Sequence, residues 1–355
     1  GTADIAGRTK PLAFGRCLNV TAQLVDPAIL TYQLHSGAIS EIEAVYDGGI
    51  AVPLGSTYAT YAELASATTT AGMFDACLPA GFLKLGVTTV GAVTADLKGD
   101  IQNTNNTYVG NHGSILRMIL RDYAGFTNEE IDGISFDTLN SQQFDGMGLF
   151  LPSGDVSTVH EVLERIAFAV GAFVGQDRSG LFRVQRIDPP SGITVHWAFN
   201  DRDIIAIERE QLSYGVPWRA WGIGYMPNWT VQNDSDLAGA VTQERRQFLK
   251  SEQRFAYAQD ANIAIAHASS SGMTRSSLML SETAAQQEAE RLISLYSAGR
   301  ALYRVVVKNA LFSVELGQTV RLTYDRWDLH GGKDFIAVGI EDDADTVETT
   351  LRVFG

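Results

Sequence analysis

The chain has 355 residues, 45% hydrophobic and only 19% charged, a balance that excludes extended disorder and leaves room for two or more folded cores. Its formal net charge is −14, with lysine and arginine scattered along the chain, which argues against sequence-specific DNA or RNA binding. No apolar run reaches the roughly 18 residues of a membrane helix, and the opening residues show no secretory pattern.

Thirty-four glycines against nine prolines point to many tight turns, hence to a strand-rich protein. Residues 12–60 carry short apolar runs divided by turn signals at Asp26-Pro27, Ser36-Gly37, Asp47-Gly48-Gly49 and Pro53-Leu54-Gly55. Ile42, Ala44 and Tyr46 alternate with their neighbours as a half-buried strand does. A second strand is predicted from Val87 to Lys98, closing at Gly99-Asp100. The pattern then turns helical. Ser114 is a potential cap for a helix whose apolar face is Ile115, Leu116, Ile119, Leu120 and Tyr123, and Asn128 to Ile131 suggests a short helical turn. Thr158 and Glu161 form a capping box for a stronger helix with Val159, Val162, Leu163, Ile166, Val170 and Phe173 inside and Gly175 as its stop. A turn at Asp177 to Gly180 leads to a strand, Leu181 to Ile187, and Asp188-Pro189-Pro190-Ser191-Gly192 reads as a linker.

Beyond it, strands are predicted at 193–199, 204–212 and 219–231, whereas 255–280 shows no clear period. A third helix is predicted from a Thr283/Gln286 capping box, with Ala285, Ala289, Leu292, Ile293 and Tyr296 inside and Gly299 at its end. The remaining residues read as a compact β unit: Leu302 to Val307, Thr319 to Tyr324, Phe335 to Ile340 and Thr349 to Phe354. Its turns fall at Gly317, Gly331-Gly332 and 341–346.

A search for reactive constellations finds none at the required spacing. The six histidines (His35, His112, His160, His196, His267 and His330) never pair at metal-ligand spacing. His160-Glu161-Val162-Leu163-Glu164 has glutamate where a zincin helix needs its second histidine. There is no GxSxG elbow. Gly222-Ile223-Gly224 and Gly331-Gly332-Lys333 lack the rest of a phosphate loop and read as turns. Glu341-Asp342-Asp343-Ala344-Asp345 offers oxygen ligands for Ca²⁺, or simply a solvated hairpin loop. Glu161 and Glu164 lie one turn apart as an acid/base pair would, or as the outer face of an amphipathic helix. Cys17 and Cys77 read as buried or free thiols. The Asn-x-Thr triplets at Asn19, Asn105 and Asn228 are discounted as glycosylation sites in a chain without a visible leader. The densest run of large rings supplies Trp218, Trp221, Tyr225 and Trp229, as either interface anchors or a core strand.

The order of motifs resembles the baseplate hub proteins of phage tails, of the siphophage and transposable-phage type. Lys10-Pro11-Leu12-Ala13-Phe14-Gly15-Arg16-Cys17-Leu18-Asn19-Val20 is similar to a family stretch of the form KPLxFGRxxNV, and Leu24-Val25-Asp26-Pro27 through Tyr32-Gln33-Leu34-His35-Ser36-Gly37 to LVDPAxLxYQVHDG. Ala44 to Gly49, the capped helix at 158–174 with its following turn and strand, Asn228-Trp229-Thr230-Val231-Gln232, Leu316-Gly317-Gln318-Thr319-Val320 and Gly331-Gly332-Lys333 with Phe335 follow as further landmarks. The resemblance implies an α+β, β-rich fold with two small β-barrel-like tube domains and inserted α/β domains. It divides the chain into a first barrel-like unit (1–100), an α/β insertion (101–190), a mixed β/α unit (191–300) and a closing barrel-like unit (301–355).

The implied role is a structural hub subunit in the virion tail tip, assembled in the host cytoplasm as a homotrimeric ring that continues the tail tube. Its partners would be tail-tube, distal-tail, tape-measure and tip or central fibre proteins, with no cofactor, metal, catalytic residue, nucleic-acid sequence or membrane required. An additional N-terminal domain is expected ahead of Gly1. Two alternatives stay open: a receptor- or carbohydrate-binding tail module using the 218–229 rings, and a peptidoglycan-hydrolysing tail-tip enzyme.

Overall fold

The computed structural model describes residues 5–101, 106–189, 194–210, 217–297, 300–308, 310 and 312–355. The first hundred residues are built from β1 (Leu12–Thr21), β2 (Gln23–Asp26), β3 (Thr31–Gln33), β4 (Ile39–Asp47), β5 (Ile50–Val52), β6 (Leu54–Thr57), the short helix α1 (Tyr61–Ser66), β7 (Phe74–Cys77), β8 (Phe82–Leu85) and β9 (Val93–Asp100). They form two sheets, β1-β9-β4-β5 and β2-β3-β8-β7-β6. Both contribute to one core: Ala13, Cys17, Val45 and Leu97 from the first, Tyr32, Phe74 and Leu83 from the second. The strand predicted to begin at Val87 begins at Val93, because the preceding residues form a loop that Asp47 caps through the backbone N–H groups of Val90 and Gly91. Cys17 and Cys77 are both free and buried.

The middle of the chain is mixed. It contains α2 (His112–Met118), which runs into a wider helical turn over 119–123, then α3 (Gly133–Gln142), β10 (Gly148–Leu151), α4 (Val159–Ala169) and the hairpin β11 (Ala172–Gln176) with β12 (Phe182–Arg186). β10 joins the free side of β1, antiparallel over Leu12 to Gly15. The two strands become a shared wall, since successive side chains of a strand face opposite ways. Phe14, Leu149 and Leu151 point into a second and larger core, whereas Ala13 and Phe150 point into the first. That double burial explains why β1 shows no alternation of apolar and polar residues.

The Ser114 cap is corrected. α2 begins three residues earlier, after Asn111, and the Asn140 side chain of α3 accepts from the Gly113 and Ser114 N–H groups (2.9 and 3.3 Å). At α4 the Thr158/Glu161 box forms in both directions, with Val162, Leu163 and Ile166 buried. The helix stops at Ala169 instead of Gly175. Gly171 (φ +66°) reverses the chain there, and a Cβ on it would meet the Arg291 guanidinium at 2.1 Å. Phe173 therefore belongs to β11, and Val159 lies exposed.

The rest comprises β13 (Trp197–Phe199), β14 (Ile204–Glu210), β15 (Ala220–Tyr225), α5 (Gln243–Leu249), β16 (Arg254–Gln259), α6 (Ala261–Ala266), β17 (Gly272–Arg275), α7 (Glu282–Ser297), β18 (Leu302–Lys308), β19 (Thr319–Leu322), β20 (Lys333–Asp343) and β21 (Glu348–Phe354). One sheet, in the order β13-β19-β20-β21-β18-β14, draws strands from both sides of residue 300 around a third core that includes Val305, Val320, Phe335 and Leu351. Another, β16-β15-β17, carries α7 on one face, where Trp221, Ile223 and Tyr225 share a core with Ala285, Ala289 and Leu292. Gly222 and Gly224 are corrected from turn to strand. They sit in β15 on the opposite face, where the Tyr257 ring and the Gln253 side chain cross so closely that a Cβ would meet them at 2.5 and 1.7 Å. The cap of α7 is Ser281, whose hydroxyl accepts from Ala284 N–H (3.2 Å), leaving Thr283 inside the helix. Gly299 and 190–193 of the linker lie outside the described residues.

His112, at the start of α2, is fully buried, and neither ring nitrogen has a partner among the described residues. Burial pulls its pKa down from 6.5 to about 4, opposed only by Asp145. The folded imidazole is therefore neutral where the unfolded one takes a proton. Stability from this residue is complete above about pH 6.5 and is lost as the pH falls toward 4, by an amount on the order of 3 kcal/mol. Urea titrations from pH 7.5 to 4.5 should show the wild type losing about 2–3 kcal/mol more than His112→Leu over that range; parallel losses in the two proteins would refute the assignment.

Candidate assembly site

The first sheet and the 226–252 segment are fastened by a bulge in β1. The β1–β9 register shifts between Cys17 and Val20, and Asn19 turns to φ +54° with its side chain fully buried. Its N–H donates to Asp96 Oδ1 (2.7 Å), and its Nδ2 donates to Asn228 Oδ1 (2.7 Å) and Thr230 O (2.6 Å). Asn228 Nδ2 in turn donates to the carbonyls of Phe248, Leu249 and Ser251 (3.2, 3.0 and 3.0 Å), gathering the end of α5. Leu18, the other bulge residue, packs with Leu237, Val241, Phe248 and Leu249 in a small core of its own. Asp96 also accepts from the Tyr46 hydroxyl (2.9 Å) and meets Arg245 (3.5 Å), whose guanidinium lies 3.6 Å from the Tyr46 ring centre. Burial first, and Asp96 second, push the Tyr46 pKa up to about 12. Asn19 and Asn228 are thus spent on internal bonds, and Asn105 lies outside the described residues.

A second fastening is ionic. Glu288 of α7, almost wholly buried, receives Arg275 (2.6 Å) and both Nε and Nη2 of Arg291 (2.7 Å each). Arg291 also reaches the Ile187 carbonyl and Asp188 (3.4 Å), which ties the end of the β11–β12 hairpin to α7. A third links that hairpin to the six-stranded sheet. Arg178 meets Asp342 (2.5 Å) and donates to Val314 O (3.0 Å), while Gln185 Nε2 donates to Gly317 O (2.7 Å).

The four expected anchors lie inward. Trp221 and Tyr225 are buried, and Trp218 and Trp229 pack half-buried against the same core. Trp221 stacks on Tyr296 (5.6 Å) and meets the edge of Trp218 (5.1 Å). Of the two readings of the run, interface anchors or a core strand, this packing is that of a core strand, because β15 turns its alternate side chains toward α7. Large rings are exposed elsewhere, at Phe168 (61%), Tyr257 (58%) and Phe312 (62%), where sequence periodicity gave no signal.

The carboxylates considered for chemistry are dispersed. Glu161 closes its capping box, and Glu164 pairs with exposed His160 (3.3 Å). Asp342 is taken by Arg178 and by the Thr349 hydroxyl (2.7 Å), and Asp343 accepts from the Asp345 and Thr346 N–H groups. His35 sits beneath β1, accepting at Nδ1 from Ala13 N–H (2.9 Å), with Asp100 3.6 Å from Nε2. The described residues bring together no set of three His, Cys, Asp or Glu side chains that could hold a metal. No described helix is long and apolar enough to cross a membrane. What the arrangement offers is a set of sheets joined by hydrogen-bonded and ionic fastenings.

No family model and no curated protein matches the sequence. Solved structures do. A chain from the virion of the native gene transfer agent particle covers 98% of this chain and 84% of its own length, at 14% identity and a TM-score of 0.56. The fold is that of a virion chain. The 43 kDa tail protein of prophage MuSo2 from Shewanella oneidensis (14% identity, 75% and 74% covered, TM-score 0.37) and a tail protein from Neisseria meningitidis MC58 (14%, 59% and 59%, 0.36) are further matches. The α+β, β-rich class expected from the sequence is the observed one.

The Asn19–Asn228 joint makes a quantitative expectation. Asn228→Ala removes the Oδ1 that accepts from Asn19 Nδ2 and Thr230 N–H, and a donor to three carbonyls of which Phe248 and Leu249 keep backbone N–H partners; it should cost about 1–3 kcal/mol in urea unfolding. A loss under about 1 kcal/mol would mean that the joint contributes little.

Proposed function

We propose that this chain is a structural subunit at the tip of a phage-type tail, a hub whose copies close into a ring continuing the tail tube. The observation that carries this reading is the end-to-end likeness of fold to a chain of a virion, spanning the barrel-like N-terminal sheets, the α/β middle and the closing sheet together. The order of sequence landmarks supports it independently. In this reading the homotrimer presents two related β units per subunit, so that three copies meet a sixfold tube, and 1–100, 101–190, 191–300 and 301–355 serve as its working divisions. Ring closure uses heterologous contacts, which need complementary surfaces in place of a reactive centre. The net charge of −14 suits a passage through which DNA slides without sticking. Tail-tube, distal-tail, tape-measure and fibre proteins are the partners this position requires.

Labelling in intact particles tests the proposal. Antibody gold should fall at the tail tip, and quantitative mass spectrometry should give three copies per tail. Label spread along the whole tube, or a chain found only in the infected cell, would overturn it. Clear lysis in a cell-wall zymogram, abolished by a point substitution, would replace it with an enzymatic role.

A further inference from the structure

A cavity of about 510 Å³ opens between α4 and the residues that follow β15 and β17. Arg165 and Phe168, one turn apart on α4, form one wall, and Trp229, Arg275 and Ser276 another. The Arg165 guanidinium lies 5.4 Å from the centre of the Trp229 ring, and Arg275 lies 5.3 Å from that of Phe168. The two cations differ in one respect. Arg275 is paired with Glu288 at 2.6 Å, whereas Arg165 has no ion pair among the described residues. Burial lowers its pKa from the ordinary arginine value, opposed by Asp155. An exposed guanidinium with no ion pair among the described residues, held over a ring at the cavity, presents a cation to an anion from outside.

The cavity adjoins a second unpaired feature. β17 is the edge of its sheet, in the order β16-β15-β17, and no described strand pairs with its outer side. Gly272, Met273 and Thr274 are exposed along it, and the strand runs into the cavity wall at Arg275 and Ser276. An open edge offers backbone donors and acceptors in a row that another extended polypeptide can use and a sugar or free anion cannot.

We infer that this cavity receives an acidic side chain from an extended segment of a neighbouring tail polypeptide, which adds to the edge of β17 and sets its carboxylate on Arg165. The aromatic faces of Phe168 and Trp229 flank the carboxylate and its aliphatic stem. The inference deepens the tail-tip reading by giving the chemistry of one partner, and it rests on that reading for the partner's source.

The test uses the full chain and a defined probe, a capped octapeptide of alternating threonine and valine with one central aspartate, titrated by calorimetry and tryptophan fluorescence. Saturable binding is expected. It should weaken about tenfold or more when asparagine replaces the aspartate, and equally in Arg165→Gln, with the thermal melt of that variant checked against wild type. Phe168→Ala should weaken it too, and N-methylation of alternate peptide amides, which blocks strand pairing, should abolish it. Equal affinity for the aspartate and asparagine peptides, unchanged binding by Arg165→Gln, or no saturable binding at millimolar peptide would each overturn the inference. Arg165-dependent binding of an oligoglucuronate in place of the peptide would assign the cavity to an acidic glycan instead. Because none of these readouts depends on ring formation, a failed peptide titration and a failed localisation at the tail tip are separate results.

Discussion

The structure turns on two asparagines that are 209 residues apart in sequence and 2.7 Å apart in space. Asn19 reaches its position only because β1 bulges, and the bulge holds a non-glycine residue in the left-handed region, which is tolerated best by asparagine. Asn228 spends its amide on three carbonyls at the end of α5, so the joint fixes one strand, one loop and one helix terminus at once. Hydrogen bonds of this kind add little net stability each. They are directional, however, and breaking one set strands several buried groups. The joint therefore sets an angle more than it supplies adhesion.

Adhesion comes from the shared wall. β1 and β10 bury both faces, one in the core of the N-terminal sheets and one in the larger core that extends through α2 and α4 to α7 and Phe354. A residue at either end of the chain is thus in contact with a common apolar interior. Relative motion of the sheets would open that interior, at a cost of roughly 25 cal/mol for each Å² of apolar surface exposed. The ionic fastening at Glu288 follows the same logic from the polar side: two arginines on one buried carboxylate tolerate no half-made arrangement.

How much of this was legible depended on whether a feature is local. The α4 capping box could be read directly, because Thr158 and Glu161 satisfy each other within one turn. The α7 cap was misread by two residues, since Ser281 and Thr283 are both plausible hydroxyls and the choice is made by tertiary packing. α3 has only Phe136 and Leu139 buried and leaves Ile134 exposed, so it carries almost no helical period. Gly222 and Gly224 looked like turn residues; their reason lies across the sheet, in a ring and an amide that need the space. The aromatic run gave its composition but not its orientation. The landmarks behind the family resemblance fared differently. Ala13 meets His35, Asn19 meets Asn228, and Gln185 meets Gly317, so residues singled out for their order in sequence are paired in the fold. The candidate cavity was invisible to sequence, because Arg165, Trp229 and Arg275 come from three separate stretches that only the fold brings together.

A ring subunit has a particular need for such a frame. Each heterologous contact repeats around the axis, and an angular error within one subunit is multiplied by the number of copies before the ring closes. Loose domains joined by apolar contact alone would permit that error, whereas a bulge held by paired amides and a hairpin held by a double-arginine carboxylate do not. In the proposed ring, the same demand would account for where the polar groups are spent. The protein places the Asn19 and Asn228 amides, the Glu288 ion cluster and the rings of Trp218, Trp221 and Tyr296 at internal joints. It leaves outward exposed apolar residues and, at Arg165, an exposed cation over a ring with no ion pair among the described residues. Specific contact with neighbours then falls to the few outward groups that have not been satisfied within the chain.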